Sequence, residues 1–517
     1  MKDDKIIRSG VIDIGTHSIK LLIAEGNNGD IKILESLKNV AALGRDTFLK
    51  ERFSQESINR TIAILDKYAN TLKEYDITNP RVIATTAVRE ARNKDVFIDA
   101  VQRKTGFNVE VLTVGDVVYY IDAYIYHRLK DKYPLHEKNL LIAEPGAGSF
   151  DISLMAQGFT LMNAGLPLGT MRLKQLINKL DGSFQENYEA LKESVENELA
   201  YLRRSMPPLA IDDIILIDEN YSPYLDKILA NKGLGESFFQ LSQDDTKQLL
   251  SHLMDKKVDE IVSDYKVPLE TAESFMEYAI ILNAVVELAQ NKNIYILKTS
   301  LAEAILANEI LGYDISQKYN KGNQLISMAH ALCRKYNVDL NHAHQVARLS
   351  DKLFDAFKDL LGLKKTESLY LTLASYLHDI GMFIYNRAHH KHSEYIINSL
   401  NFFRLTEEEI KIIACVARYH RRGNPSDTHL LYQSLPRKEQ ILVQKLSSLL
   451  KVANSLDRSH KQKAKDIEIK LNRLQDISLI VTVDGSFILE KAEFAEKKEF
   501  LEEACGNKIS LKIKSAS

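Results

Sequence analysis

Two short loops carry the most specific chemistry in this chain. In Val11-Ile12-Asp13-Ile14-Gly15-Thr16-His17-Ser18 a single carboxylate interrupts an apolar run. A carboxylate buried at a strand end is costly unless a metal, a water or a hydrogen-bond donor compensates it. Gly15 lets the backbone turn sharply, and Thr16, His17 and Ser18 bring hydroxyl, imidazole and backbone N–H groups of the kind that surround an anion. The second loop, Glu144-Pro145-Gly146-Ala147-Gly148-Ser149, repeats the scheme, with an acidic residue ending an apolar run and glycines following it. Taken singly, the first loop reads equally well as a hairpin whose Asp13 caps the turn. Two such loops face to face could clamp a polyphosphate with a divalent cation between Asp13 and Glu144, since oxygen ligands are what Mg²⁺ takes.

Histidines concentrate in the last third of the chain, at His342, His344, His378, His389, His390, His392 and His420. Arg387, His389, His390, Lys391, His392 and the 418–422 run give a basic concentration that a polyanion could use, because phosphate contacts need positive charge and no precise code. A solvated helix face is the alternative.

Strands must hold the two loops. Short β-branched runs over 6–14, 20–25 and 31–35, with Asn28-Gly29 as a tight turn, predict an opening hairpin sheet. Helical periodicity over 57–75, a strand over 81–85, a helix over 96–105 and a strand over 108–113 complete an α/β domain, placed at 1–120. A long helix then starts near Val117, and strands over 139–143 and 150–155 flank the second loop, so the opening pattern recurs. Strands over 214–217 and 293–297 and a helix over 300–311 close a second α/β domain, 121–314. Helices predominate over 315–463. The segments IEIKL, SLIVTV and ISLKI around a helix at 492–504 predict a small α+β domain, 464–517.

At 517 residues the chain is too long for one hydrophobic core. Its formal net charge of −2 exerts no global pull toward nucleic acid or membrane, so an anionic ligand has to be held by a local basic patch. Cys333, Cys415 and Cys505 lie far apart and outside any CxxC spacing, which argues against a disulfide framework or a thiolate zinc site and fits a reducing cytoplasm. The N-terminus has no apolar signal region, and no stretch reaches roughly eighteen uncharged apolar residues, so no membrane span is expected.

The segment VIDIGTHSIKLLI resembles the first phosphate motif of the exopolyphosphatase/guanosine pentaphosphatase (Ppx/GppA) family, and LGRDTFLKERFSQESI resembles the segment that follows it. ATTAVREARN at 84–93 and GLPLGTMRL at 165–173 resemble two further family segments. HAHQVARLSDKLFD, LASYLHDIGMFIYNRAHHKHSEYIINS and IACVARYHRRGNPS are similar to the helical, HD-like domain of its longer members. The resemblance spans nearly the whole chain. It implies an α/β plus all-α protein: two actin-like (ribonuclease H-like) α/β domains, a helical HD-like domain and a small α+β C-terminal domain. It further implies a Mg²⁺- or Mn²⁺-dependent phosphoanhydride hydrolase that removes the terminal phosphate of inorganic polyphosphate or the 5′-phosphate of guanosine pentaphosphate, and a homodimer. Gly15, Thr16, His17, Ser18, Gly146, Gly148 and Ser149 would then surround phosphate, Asp13 and Glu144 would hold the metal, and Arg89 would pair with a phosphate through its planar fork.

Departures from the family pattern fall at the chemistry. Members typically carry a glycine and a run of glutamates near the end of the first domain, one of which activates the attacking water. Here Gly115-Asp116-Val117-Val118 places Val117, which accepts no proton, at the expected glutamate and leaves Asp116 as a shifted substitute base. Glu144 and Ala147 replace an aspartate and a glycine of the second loop, and Asp218-Glu219-Asn220-Tyr221 stands where a glycine-glycine-threonine phosphate motif is expected. Two carboxylates there would repel an anion. KTSLAEAIL replaces a glycine-rich helix start. The rival expectation is therefore a catalytically impaired polyphosphate- or nucleotide-binding regulatory protein. In the helical part, His342, His378 and Asp379 follow the His…His-Asp order of an HD metal site and form a candidate second site. Asn454 stands at the remaining aspartate, with Asp457 three residues on. That neutral, weaker ligand favours histidines hydrogen-bonded between helices over a bound metal.

Overall fold

The computed structural model describes residues 6–27, 30–229, 236–288, 292–421, 423–471 and 476–515. The Asn28-Gly29 turn and Arg422 lie outside the described residues. The chain forms two compact units, Met1–Lys321 and Gly322–Ser517.

The first unit contains two sheets built on one plan. Strands β1 (Ile7–Ile14), β2 (Ser18–Asn27) and β3 (Asp30–Val40) form an antiparallel meander, and β4 (Arg81–Ala84) and β5 (Val109–Val111) add in parallel on the far side of β1, giving the order β3-β2-β1-β4-β5. The second meander is β6 (Asn139–Pro145), β7 (Phe150–Ala156) and β8 (Phe159–Leu166). Beside β6 run β9 (Asp213–Ile217) and β11 (Asn293–Leu297) in parallel, with β10 (Phe238–Leu241) antiparallel at the edge. The recurrence predicted from the opening hairpin is thus a repeated topology.

Burial explains the central strands. Every residue of β9 is buried, as expected of a parallel strand covered on both faces. In the first sheet the 20-residue helix Gln55–Glu74 is capped by Ser54, which accepts from Ser57 N, and buries Ile58, Thr61, Leu65, Tyr68 and Leu72 at three- and four-residue spacing. Its Tyr68 hydroxyl donates to the Ile19 carbonyl at 2.8 Å, fixing the start of β2 just beyond the first loop.

Two strands, β8 and β10, lie outside those that alternation predicts. The helix expected to end near Gly312 runs over Leu301–Lys318. A glycine inside a helix costs about 1 kcal/mol. The buried Ile310, Leu311, Ile315 and Tyr319 carry the apolar face across it.

The second unit is helical from Lys321–Lys335 to Arg437–Ser455 and ends in a three-stranded sheet, β12 (Ala464–Leu471), β13 (Ile477–Val483) and β14 (Ile509–Ser515), with the helix Ile488–Cys505 between its last two strands. Gln345 and Arg348 on the long helix Leu340–Leu361 donate to the Ala464 carbonyl, both at 2.6 Å, tying this sheet to the helices. Among the described residues no helix is long and apolar enough to cross a membrane.

Candidate active site

The two loops adopt the same turn. Gly15 N donates to Ser18 O at 3.0 Å, and Gly146 N donates to Ser149 O at 2.9 Å. A Cβ at Gly15 would come within 2.9 Å of the Ser18 carbonyl and one at Gly146 within 3.0 Å of the Ser149 carbonyl, so both turns disfavour any larger residue. The loops also meet. A Cβ on Gly148 would collide with Thr16 Oγ1 and lie 3.0 Å from Thr86 Cβ, while Thr86 and Ser149 share a hydroxyl hydrogen bond of 2.9 Å. Gly169 packs against the second loop, which Thr170 N and Met171 N hold through the Gly146 and Ala147 carbonyls at 3.1 and 3.0 Å.

Between the loops lies a cavity of about 210 Å³. Asp13, Gly15, Thr16, His17, Ser18, Glu144, Gly146, Gly148 and Ser149 all line it, so the structure brings together every loop residue singled out in the sequence. It also adds residues that the sequence reading omits: Asp151, Lys20, Lys38 and Lys174. In the β6–β7 register Asp151 stands directly opposite Glu144, and in the first sheet Asp13, Lys20 and Lys38 form one cross-strand row. The available signal was a lone charge inside an apolar strand, as in Ile19-Lys20-Leu21.

Seven carboxylates and three lysines line this cavity. Each lysine has an acidic partner: Lys20 pairs with Glu219, Lys38 with Glu270 at 3.4 Å, and Lys174 with Glu273 at 2.6 Å. The carboxylate excess leaves its mark on proton affinity. Burial, then Asp151 and Asp13, push the Glu144 carboxyl up to about 8. Burial lifts Asp151 to about 6 against the pull of Arg89, and lifts Asp13 against the pull of Lys20. Asp13 Oδ1 and Asp151 Oδ1 are buried with no hydrogen-bond partner among the described residues. Crowded, partnerless oxygens of this kind fit a hard divalent cation, which would favour their charged forms.

Two expected site residues lie elsewhere. Asp116 belongs to a capping box with Thr113 at the start of the helix Val114–Leu129, its carboxylate accepting from Thr113 N at 3.1 Å and Thr113 Oγ1 at 2.8 Å, and it does not line the cavity. Val117 does line it. Arg89 does not: it donates to the Leu112 carbonyl at 2.7 Å and to Thr86 Oγ1 at 3.2 Å, standing behind the residue that bridges the loops. The Asp218 carboxylate is spent on Asn220 N, Tyr221 N and Ser222 N at 2.8, 3.0 and 2.6 Å, and Glu219 on Lys20. Both carboxylates are thus engaged and do not stand as an open pair of repelling charges.

In the second unit His342 is engaged through both ring nitrogens, by Asp457 at 2.8 Å and Asn454 at 3.1 Å. His389 and His420, expected in a basic surface patch, are buried, and Arg418 of that patch is ion-paired with Glu394.

Paired strand-loop-strand sheets of one topology thus present two glycine loops over buried carboxylates. Residues 22–312 match the Ppx/GppA phosphatase family and residues 326–492 match Ppx/GppA phosphatase, domain III. The chain belongs to the Ppx/GppA phosphatase family. Over 414 residues it is 22% identical to the guanosine-5′-triphosphate,3′-diphosphate pyrophosphatase of Aliivibrio fischeri, covering 79% of this chain and 80% of that one. Its fold is similar to that of a Ppx/GppA family member of Aquifex aeolicus (TM-score 0.51, 22% identity, 60% of this chain and 99% of the other). It is also similar to that of an exopolyphosphatase of Cytophaga hutchinsonii (TM-score 0.53, 20% identity, 59% and 98%).

Proposed function

We propose that the cavity hydrolyses a terminal phosphoanhydride, releasing orthophosphate from inorganic polyphosphate or the 5′-phosphate of guanosine pentaphosphate. The observation that carries this is the meeting of two identical glycine turns over Asp13, Glu144 and Asp151. The activities named for the relatives, on guanosine-5′-triphosphate,3′-diphosphate and on polyphosphate, support it. The repeated strand order supports actin-like domains over 1–120 and 121–314, and the His378-Asp379 pair in a helical surround supports an HD-like second unit followed by a small α+β end. Cys333, Cys415 and Cys505 are free thiols, which supports a cytoplasmic location.

In this reading Gly15–Ser18 and Gly146–Ser149 hold the terminal phosphate through backbone N–H and hydroxyl groups. Asp13 and Glu144 would hold Mg²⁺ or Mn²⁺, which supplies charge neutralisation when bound. Asp151, and not Asp116, takes the proton as water attacks: one oxygen–phosphorus bond forms, the bridging oxygen–phosphorus bond breaks, and the shortened polyphosphate or nucleotide leaves with its electrons. Lys20, Lys38 and Lys174 exchange their glutamates for phosphate oxygens. Positioning and charge do the work, as in phosphoryl transfer generally.

Phosphate release from long-chain polyphosphate and from guanosine pentaphosphate, each with Mg²⁺ or Mn²⁺, tests this. Turnover that falls by on the order of 10²–10³ in Glu144→Gln supports it. Turnover indifferent to that change contradicts it. The buried Val117 at the expected glutamate favours a second reading, a polyphosphate- or nucleotide-binding regulatory protein. Tight binding of polyphosphate by the wild type without phosphate release would select that reading.

A further inference from the structure

The second unit buries a group of side chains whose hydrogen bonding is incomplete in a telling way. His378, His389 and His420 come from separate segments of the helical unit, and all three are at most 4% exposed. Each points Nδ1 at a backbone carbonyl: His378 at Ser375 O (2.8 Å), His389 at Asn386 O (3.0 Å) and His420 at Ala417 O (2.7 Å). A carbonyl only accepts, so in each ring Nδ1 carries the hydrogen. In a neutral ring Nε2 is then a bare lone pair.

All three Nε2 atoms converge on the carboxylate of Asp379, at 3.4 Å (His378), 3.1 Å (His389) and 3.5 Å (His420). His389 Nε2 and His420 Nε2 also face each other at 3.2 Å. Three lone pairs and a carboxylate cannot satisfy one another, and His378 Nε2 has no hydrogen-bond partner. Either a second proton on one ring or a metal cation among them resolves this. Bonds of about 2.0–2.1 Å from imidazole nitrogen to a tetrahedral metal put neighbouring donor atoms about 3.3 Å apart. Four of the separations within the cluster, 3.1–3.5 Å, bracket that edge, and His378, Asp379 and His420 offer donor atoms all within 4.8 Å of one another. Backbone carbonyls on the opposite ring nitrogens are the usual way that metal-binding histidines are oriented.

We propose that His378, His389 and His420, through Nε2, and Asp379, through its carboxylate, form a site for one transition-metal dication of the Zn²⁺ or Co²⁺ class. Three imidazoles and one carboxylate suit a borderline metal, whereas the oxygen-lined cavity of the first unit suits Mg²⁺. A second grouping, His342 and His460 with Asp379, lies nearby but is not the site. Both nitrogens of His342 are engaged by Asp457 and Asn454, and His460 stacks on it at 3.6 Å while bonding Asp339. The ligand set therefore omits His342 and includes two histidines that the His…His-Asp order does not indicate. This inference stands apart from the hydrolytic reading of the first unit.

The test titrates chelator-stripped, full-length protein with Co²⁺ alone and reads visible absorption, which is strong for four-coordinate, nitrogen-rich Co²⁺ and weak for a six-coordinate, all-oxygen site. One equivalent giving the strong band is expected. The band should be lost in His420→Ala, weakened at least 10-fold in affinity in His389→Ala, and retained in His342→Gln and Glu144→Gln. Absence of the strong band in the wild type, its persistence in His420→Ala, or its loss in His342→Gln or Glu144→Gln would overturn the assignment. Should the histidine variants fail to fold by circular dichroism, the wild-type band and a rise in Tm on adding one equivalent of Zn²⁺ decide: both together uphold the site, and absence of either overturns it.

Discussion

The cavity of the first unit and the histidine cluster of the second solve one problem with opposite chemistry. In the cavity, carboxylates crowd together, so proton affinity rises: Glu144 reaches about 8 and Asp151 about 6. In the cluster the carboxylate of Asp379 faces imidazole nitrogens instead, three of them at 3.1–3.5 Å. What faces a buried carboxylate determines which cation the place accepts, a hard one among oxygens or a borderline one among imidazoles.

The widest separation between the two should appear in a crossed pair of variants. Glu144→Gln is expected to lose phosphate release by on the order of 10²–10³ while keeping the Co²⁺ band. His420→Ala should lose the band and keep phosphate release within a few-fold. One variant abolishing both readouts would break the distinction.

Asp122 sharpens it further, because it is fully buried but faces only hydroxyls. Burial pushes its carboxyl up to about 7, against hydrogen bonds from Ser153 and Thr160, both at 2.7 Å. A folded value above the unfolded one means that the folded state holds the proton more tightly. This contribution to stability is full below about pH 4 and is lost as pH rises toward 7, with a slope of at most about 1.4 kcal/mol per pH unit. Urea midpoints across pH 4–8 should show Asp122→Asn gaining on the wild type over that window. Parallel curves would contradict the assignment.

Each place also depends on one glycine that brings two segments into contact. A Cβ on Gly148 would strike Thr16 and Thr86, and one on Gly381 would strike the His389 carbonyl and Ser393 N. Alanine at either position should cost about 1–3 kcal/mol by overpacking, read as a lower denaturant midpoint. Phosphate release should suffer in Gly148→Ala and the Co²⁺ band in Gly381→Ala. Gly312 has open space around it and lies within a helix, so Gly312→Ala should stabilise by about 0.5–1 kcal/mol.

How much of this could be read in advance follows from what sequence encodes locally. The loops and their strands were legible because an acidic strand end, a glycine turn and β-branched flanks are all neighbours in the chain. Asp151 and the Asp13–Lys20–Lys38 row were not, since cross-strand register brings them to the cavity and register is fixed by pairing. Asp116 misled by adjacency: Thr113 three residues before it is a capping-box signature, and the cap claims the carboxylate. His389 and His420 read as surface charge because nothing local marks which histidine of a run turns inward. Gly312 looked like a stop, and packing carried the helix past it.

The most direct measurement of the central claim compares the kcat for phosphate release in Asp151→Asn and Asp116→Asn. Proton transfer to Asp151 predicts a loss of roughly 10²–10⁴ in the first. It predicts a kcat within a few-fold of wild type in the second, with a stability cost of about 1 kcal/mol from the weakened cap. The reverse pattern, or an unchanged kcat in Asp151→Asn, would contradict it.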